Sequence, residues 1–294
     1  MGCSESRTGK IDDKNKESEK QQVSDNSLDL KYYINTEGSL NIHNFHSENL
    51  IRTLQRYSYS KEITEKNLAK AFKVMGIKLE GALEFYKLFK LETMYSREAV
   101  MHDAQKICTL FILLGKSQNI DKPSLIFKNY DHSGKGILNQ ENINTMIQDL
   151  LWIILYAIPI FTLQQYPKNL VLIKQSESFR KARPELLTDF KSKLIHKSQK
   201  DLPFKEFLKK ASRADFMKIF NPFDLRKYAL KRQNFIITPK DLKKFNIQIT
   251  EESTGNTESE TNKCVKFEDD KKNSRKGSFE STGKVKKHKK ILKN

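Results

Sequence analysis

Residues 126–151 read IFKNYDHSGKGILNQENINTMIQDLL, and this stretch decides the fold. Phe127 and Tyr130 are apolar positions on one segment ahead of Asp131, and Pro123 followed by Ser124 predicts that this segment starts as a helix with Ser124 as its N-cap. After Asp131 come Ser133, Gly134 and Gly136, residue types that turn a chain sharply. Leu138 then points inward. Ile143, Met146, Ile147, Leu150 and Leu151 recur at i, i+3, i+4, i+7 and i+8, the stripe of a second helix. The reading is helix, glycine-bearing loop, helix.

The same period runs outward on both sides. Leu68, Ala71, Phe72 and Met75 form one stripe, and Ile107, Leu110, Phe111 and Leu114 form another. Strand-like alternation is scarce, and glycine (11) and proline (7) are few in a chain of 294 residues. An all-α domain over residues 30–249 follows. The run Leu150–Leu163 carries no charge, but Pro159 lies inside it and it falls short of the roughly 20 residues a bilayer-spanning helix needs. It reads as a buried helix followed by a proline-containing break. It is also a candidate wall for a partner groove, with plain core packing as the alternative.

The unit around Asp131 resembles the EF-hand. That loop of 12 residues supplies calcium ligands from positions 1, 3, 5, 7, 9 and 12, with glycine at 6 for the sharp turn. On this pattern Asp131 stands at position 1, Ser133 at 3, Gly136 at 6, Asn139 at 9 and Asn142 at 12, while Ile137 at 7 offers its backbone carbonyl. Leu138, at position 8, would pair with a partner loop through a short strand. The resemblance therefore implies a calcium site of Asp131, Ser133, Ile137, Asn139 and Asn142. Lys135 stands at position 5, and Asn142 replaces the bidentate glutamate, so Asp131 alone supplies negative charge. Weak or absent calcium binding is the expectation.

Fainter copies align at 195–206, with Leu202 at position 8 and Glu206 at 12, and at 56–67, with Ile63 at 8 and Asn67 at 12. A fourth falls between Phe89 and Thr109. Ile195, Lys197 and Gln199 leave the first of these without a ligand set. Four degenerate hands and a helical domain with one such loop both remain open.

The chain begins MGCSES, which fits M-G-x-x-x-[ST]. Gly2 is then a myristoylation site, and Cys3 offers a thiol for a second acyl chain that makes anchoring stable. Residues 4–29 hold almost no large apolar side chains, so residues 1–29 read as a flexible acylated anchor. An acylated N-terminus with an EF-hand unit resembles the calcineurin-B and neuronal-calcium-sensor group over roughly residues 45–215, most clearly over 119–153. The extended basic C-terminal part does not belong to that pattern.

The net charge is +18, and it is unevenly placed. Residues 168–244 carry 21 Lys/Arg against 8 Asp/Glu, residues 245–270 carry 2 against 7, and residues 271–294 carry 10 against 1. Residues 250–294 read as a disordered basic tail. Lys284, Lys286, Lys287, Lys289 and Lys290 would contact an anionic lipid surface, at around 1 kcal/mol per cation close to it. Ser278 follows Arg275 and Lys276 and resembles a basophilic kinase site; phosphate there would weaken the attachment.

Three cysteines, Cys3, Cys108 and Cys264, give no disulfide framework and suit a reducing compartment. No P-loop, dinucleotide fingerprint, nucleophile elbow or HExxH run is present, and His43 and His46 have no third ligand nearby. The expectation is a non-enzymatic, membrane-anchored sensor or adaptor on a cytoplasmic membrane face, at the plasma membrane or a ciliary or vesicular membrane. Its partner would be a protein, in the form of an amphipathic helix, and not nucleic acid. A calcium-independent scaffold and an anionic-lipid-binding module are the alternatives.

Overall fold

The computed structural model describes residues 30–78, 81–92, 100–196 and 199–235. All of them lie in the first of two compact units, Met1–Gln248; the second, Ile249–Asn294, is outside the described residues. The expectations placed on Gly2, Cys3, Ser278, Lys284, Lys286, Lys287, Lys289 and Lys290 also lie outside them.

The described chain is mostly helical. After α1 (Lys31–Ser39) and a short 3-10 turn, one motif occurs four times: helix, loop, three-residue strand, helix. The first copy is α2 (Ser47–Tyr57), β1 (Glu62–Thr64) and α3 (Glu65–Met75). The second is α4 (Leu83–Lys87), β2 (Met101–Asp103) and α5 (Ala104–Leu114). The third is α6 (Lys122–Tyr130), β3 (Ile137–Asn139) and α7 (Gln140–Trp152). The fourth is α9 (Leu170–Leu194), β4 (Asp201–Pro203) and α10 (Phe204–Ala211). Helix α8 (Ile158–Gln165) continues from α7, and α11 (Ala214–Met217) and α12 (Pro222–Arg232) follow the fourth copy.

Three strands end on a residue that caps the next helix. Thr64, Asp103 and Asn139 each accept from the backbone N–H three residues on, filling one of the donors a helix start leaves free. The fourth strand ends on Pro203, which offers no such oxygen.

The strands join the copies in pairs. Strand β1 runs antiparallel to β2 with Ile63 opposite His102, and β3 runs antiparallel to β4 with Leu138 opposite Leu202. Ala104 N–H donates to the Lys61 carbonyl, and Phe204 N–H donates to the Gly136 carbonyl, so both pairs are closed by the same additional bond. The stripes named above face the core: Leu68, Ala71, Phe72, Ile107, Leu110, Phe111, Ile143, Met146, Ile147, Leu150 and Leu151 are all buried.

Two expectations are corrected. Ser124 does not cap α6; Asp121 precedes the helix, and Pro123 sits in its first turn, where a missing N–H costs no bond. Ser124 is therefore already helical. Nor does the apolar run break at Pro159. The helix passes through it by widening into a π turn at Ile153–Ala157, in which Ile158 N–H reaches back to the Ile153 carbonyl. The next bond in that series would join Pro159 to the Ile154 carbonyl, and proline has no N–H to give. Arg226 Nε supplies the donor instead, 3.1 Å from the Ile154 oxygen. The continuous helix Gln140–Gln165 is long and apolar enough to cross a membrane, yet 72% of its most apolar window is buried against the rest of the chain. It behaves as a core helix, and Ile153, Ile154, Leu155, Ala157 and Ile158 are packed inside rather than lining an open groove.

Candidate functional site

Of the four loops between paired helices, the third is where the sequence placed a metal site. In the third, Gly134 and Gly136 adopt left-handed backbone (φ +65° and +71°), which only glycine takes without strain. This turn brings the backbone back across Asp131. The Asp131 carboxylate accepts from Gly136 N–H at 2.6 Å and from the Ser133 hydroxyl at 2.9 Å. Ser133 Oγ in turn accepts from Lys135 N–H at 3.3 Å. Asn139 Oδ1 is engaged too, capping α7 through the Asn142 N–H at 2.8 Å. Asp131, Ser133, Ile137, Asn139 and Asn142 thus share one loop, and three of them spend side-chain oxygens on the loop itself.

The first loop closes in a similar way. Asn67, at the place of the last ligand, donates its side-chain N–H to the Tyr57 carbonyl at 3.2 Å. Tyr59 and Glu62 exchange backbone bonds at 2.9 and 3.0 Å. In the second, His102 occupies the strand position facing Ile63. It is buried, its Nδ1 lies 3.2 Å from the Tyr86 carbonyl, and its Nε2 has no partner. The Tyr86 carbonyl can only accept, so Nδ1 carries the proton. Burial holds this imidazole below its ordinary pKa.

The fourth loop holds a denser arrangement. Glu206 Oε1 lies 2.7 Å from Lys210 Nζ. The same ammonium donates to the Leu194 carbonyl at 2.7 Å and to Gln199 Oε1 at 3.4 Å. Gln199 Nε2 stands 3.2 Å from both Glu206 oxygens. Bonds from Lys210 and then Gln199 hold the Glu206 carboxyl below its ordinary pKa. Gln140 Nε2 donates to the Gln199 carbonyl at 2.9 Å, tying the third loop to the fourth. The Glu206–Lys210 spacing of i, i+4 was the available sequence signal for this cluster; the contribution of Gln199 needed the folded loop.

A second polar feature lies between α7 and α9. A cleft of about 460 Å³ is lined by Lys106, Asp149, Trp152, Arg180 and Arg183 among others. Asp149 is buried at its edge, taking a bond from Tyr130 Oη at 2.8 Å and facing Lys106 Nζ at 3.4 Å. Burial outweighs these partners and raises its pKa to about 6. Arg183 lies over the Tyr156 ring, 5.4 Å from its centre. Sequence reasoning counted Arg180 and Arg183 only as part of a charge block and did not single out Lys106, because α7, α5 and α9 meet here by packing.

Among the described residues, no group of three or more His, Cys, Asp or Glu side chains is placed to hold a metal ion. Comparison with known protein families, curated proteins and solved structures finds no match to the chain.

Proposed function

We propose that this chain is an EF-hand-like adaptor, anchored by Gly2 and Cys3 to the cytoplasmic face of a membrane, whose helical body binds a protein partner with little or no dependence on calcium. The carrying observation is the pairing of Leu138 with Leu202 and of Ile63 with His102. Leu138, Leu202 and Ile63 stand at position 8 of the three aligned loops, the place where EF-hand loops join by a short strand, and His102 pairs with Ile63 there from the fainter fourth copy. Weak calcium dependence is supported by the loops' own chemistry. Asp131 and Ser133 bond within their loop, Asn139 caps a helix, and Asn67 turns a nitrogen inward. Affinity in such loops follows ligand charge and rigidity.

The test combines calcium titration calorimetry with liposome flotation of the acylated chain. The reading expects little or no heat up to millimolar calcium, with any residual uptake abolished by Asp131→Ala. It expects Gly2→Ala to lose most membrane association. Strong uptake in the micromolar range would make the protein a calcium sensor instead.

A second reading, an anionic-lipid-binding module, is favoured by one observation: Lys106, Arg180 and Arg183 share a cleft in which Asp149 is the one carboxylate among the lining residues. Salt-sensitive binding of the Gly2→Ala protein to anionic vesicles, reduced by Arg180→Gln with Arg183→Gln, would support it. Complete loss of binding on Gly2→Ala would reject it.

A further inference from the structure

We propose that the Lys210 ammonium is a built-in cation: it occupies the place that a metal ion takes in a loop of this type, and so keeps the fourth loop permanently closed. The inference rests on the EF-hand-like reading above and deepens it, because it says why that loop would not respond to calcium.

The geometry is that of a filled oxygen site. An ammonium has three N–H donors and no acceptor. Lys210 Nζ meets three oxygens, from Leu194 and Glu206 at 2.7 Å and from Gln199 at 3.4 Å. They are of three kinds, a backbone carbonyl, a carboxylate and a side-chain amide, the same kinds that ring a calcium ion at roughly 2.3–2.6 Å. The two 2.7 Å separations, to Leu194 and Glu206, match charge-assisted N–H···O bonds of roughly 2.7–2.9 Å, and the Gln199 oxygen stands farther out at 3.4 Å as the weaker third contact. Glu206 stands at the position of the bidentate ligand and Gln199 at position 5. The Leu194 carbonyl is one residue ahead of the aligned loop, where α9 ends and its last carbonyls have no helical partner.

The position of Lys210 explains how the cation arrives. It lies on α10 one turn after Glu206, and both face back toward the end of α9. Only a fifth of its side chain is exposed. Without Lys210, the Glu206 carboxylate would stand near the Leu194 carbonyl, which has no helical partner, and the Gln199 amide oxygen, with no cation among the three. Lys210 neutralises that cluster. Gln199 completes it by turning its nitrogen to Glu206 and its oxygen to Lys210, and Gln140 carries the closure to the third loop.

The experiment is a thermal denaturation of the full chain and of Lys210→Met, each with chelator and with 5 mM calcium on the order of the weakest natural hands. The wild-type Tm should be the same in both conditions. Lys210→Met, which keeps the stem and deletes the charge, should melt several degrees lower in chelator and recover most of that loss in calcium. Adding Glu206→Gln should abolish the recovery. An unchanged Tm in Lys210→Met would overturn the proposal. So would a fall that calcium does not recover, since the contact would then be an ordinary ion pair. Calcium uptake by the wild-type chain that Glu206→Gln removes would overturn it as well. If Lys210→Met does not fold, the wild-type Lys210 ammonium resonance decides. A slowly exchanging signal supports the proposal, and one exchanging as fast as the exposed lysines rejects it. Failure of the membrane-adaptor reading would show separately, in liposome flotation of the wild-type chain.

Discussion

Arg226→Met should destabilise the protein by about 4 kcal/mol, through the loss of one helix join. Arg226 is fully buried. Its Nη2 lies 2.5 Å from Glu37 Oε1 on α1, its Nε donates to the Ile154 carbonyl, and its guanidinium carbon stands 4.9 Å from the centre of the Tyr33 ring. One side chain of α12 therefore ties together the first helix and the π turn in the core. Methionine fills similar apolar volume but removes every donor. Glu37, whose side chain is 18% exposed, loses its ion-pair partner and keeps only the longer-range attraction of Lys122; breaking comparable buried pairs costs about 3–5 kcal/mol. The Ile154 carbonyl, already without a helical donor because of Pro159, loses its partner at a cost of about 1–3 kcal/mol. A partial offset comes from no longer burying a guanidinium whose Nη1 has no partner. A net of about 4 kcal/mol is a large share of the roughly 5–15 kcal/mol that stabilises a typical domain. The assay is urea denaturation followed by far-ultraviolet circular dichroism, with Glu37→Gln and the double variant completing a cycle. The double variant should recover the carboxylate part and remain about 1–3 kcal/mol below wild type, the carbonyl part alone. A single variant within 1 kcal/mol of wild type, on the order of an exposed ion pair, would refute the reasoning. So would a double variant no better than Arg226→Met.

Gly115→Ala should cost at least about 1–3 kcal/mol, because the new Cβ would run into the Phe111 carbonyl oxygen and stand 2.5 Å from Ser47 Oγ; a Tm equal to wild type would show that the α5 end is free to move. His102→Val should flatten the acid limb of stability. The folded pKa of His102 is lowered, so wild-type stability is complete above the unfolded value of about 6.5 and is lost as pH falls from there through the folded pKa. Denaturation at pH 7 and pH 5 should show the variant losing less between the two. Asp149→Asn has the opposite sign. Its raised folded pKa, about 6 against an ordinary 3.8, means that the native state holds a proton the unfolded chain has released, so ionisation destabilises as pH rises between those values. Relative to wild type, the variant should gain about 3 kcal/mol between pH 4 and pH 7, as an order of magnitude; a pH-independent difference would mean that Lys106 already offsets the burial.

The helical class, the inward stripes and the turn around Gly136 were legible in the sequence because each depends on neighbours within two helical turns. A period of 3.6 residues places Ile143, Met146, Ile147 and Leu150 on one face wherever the helix goes, and a glycine takes left-handed backbone at the same small cost in any context. Pro159 was misjudged on the same local logic. A proline interrupts a helix unless another donor reaches the carbonyl it strands, and that donor, Arg226, lies 72 residues away. Glu206 was read as standing at the last position of a loop that Ile195, Lys197 and Gln199 left without a ligand set, because charge at a ligand position can be counted in sequence while the partner that neutralises it cannot. Only the return of α10 against the end of α9 puts the Lys210 ammonium among those oxygens. Local sequence determined which segments could form helices and tight turns. Packing between distant segments decided which buried charges and carbonyls found partners, because those energies exist only once the chain has closed around them.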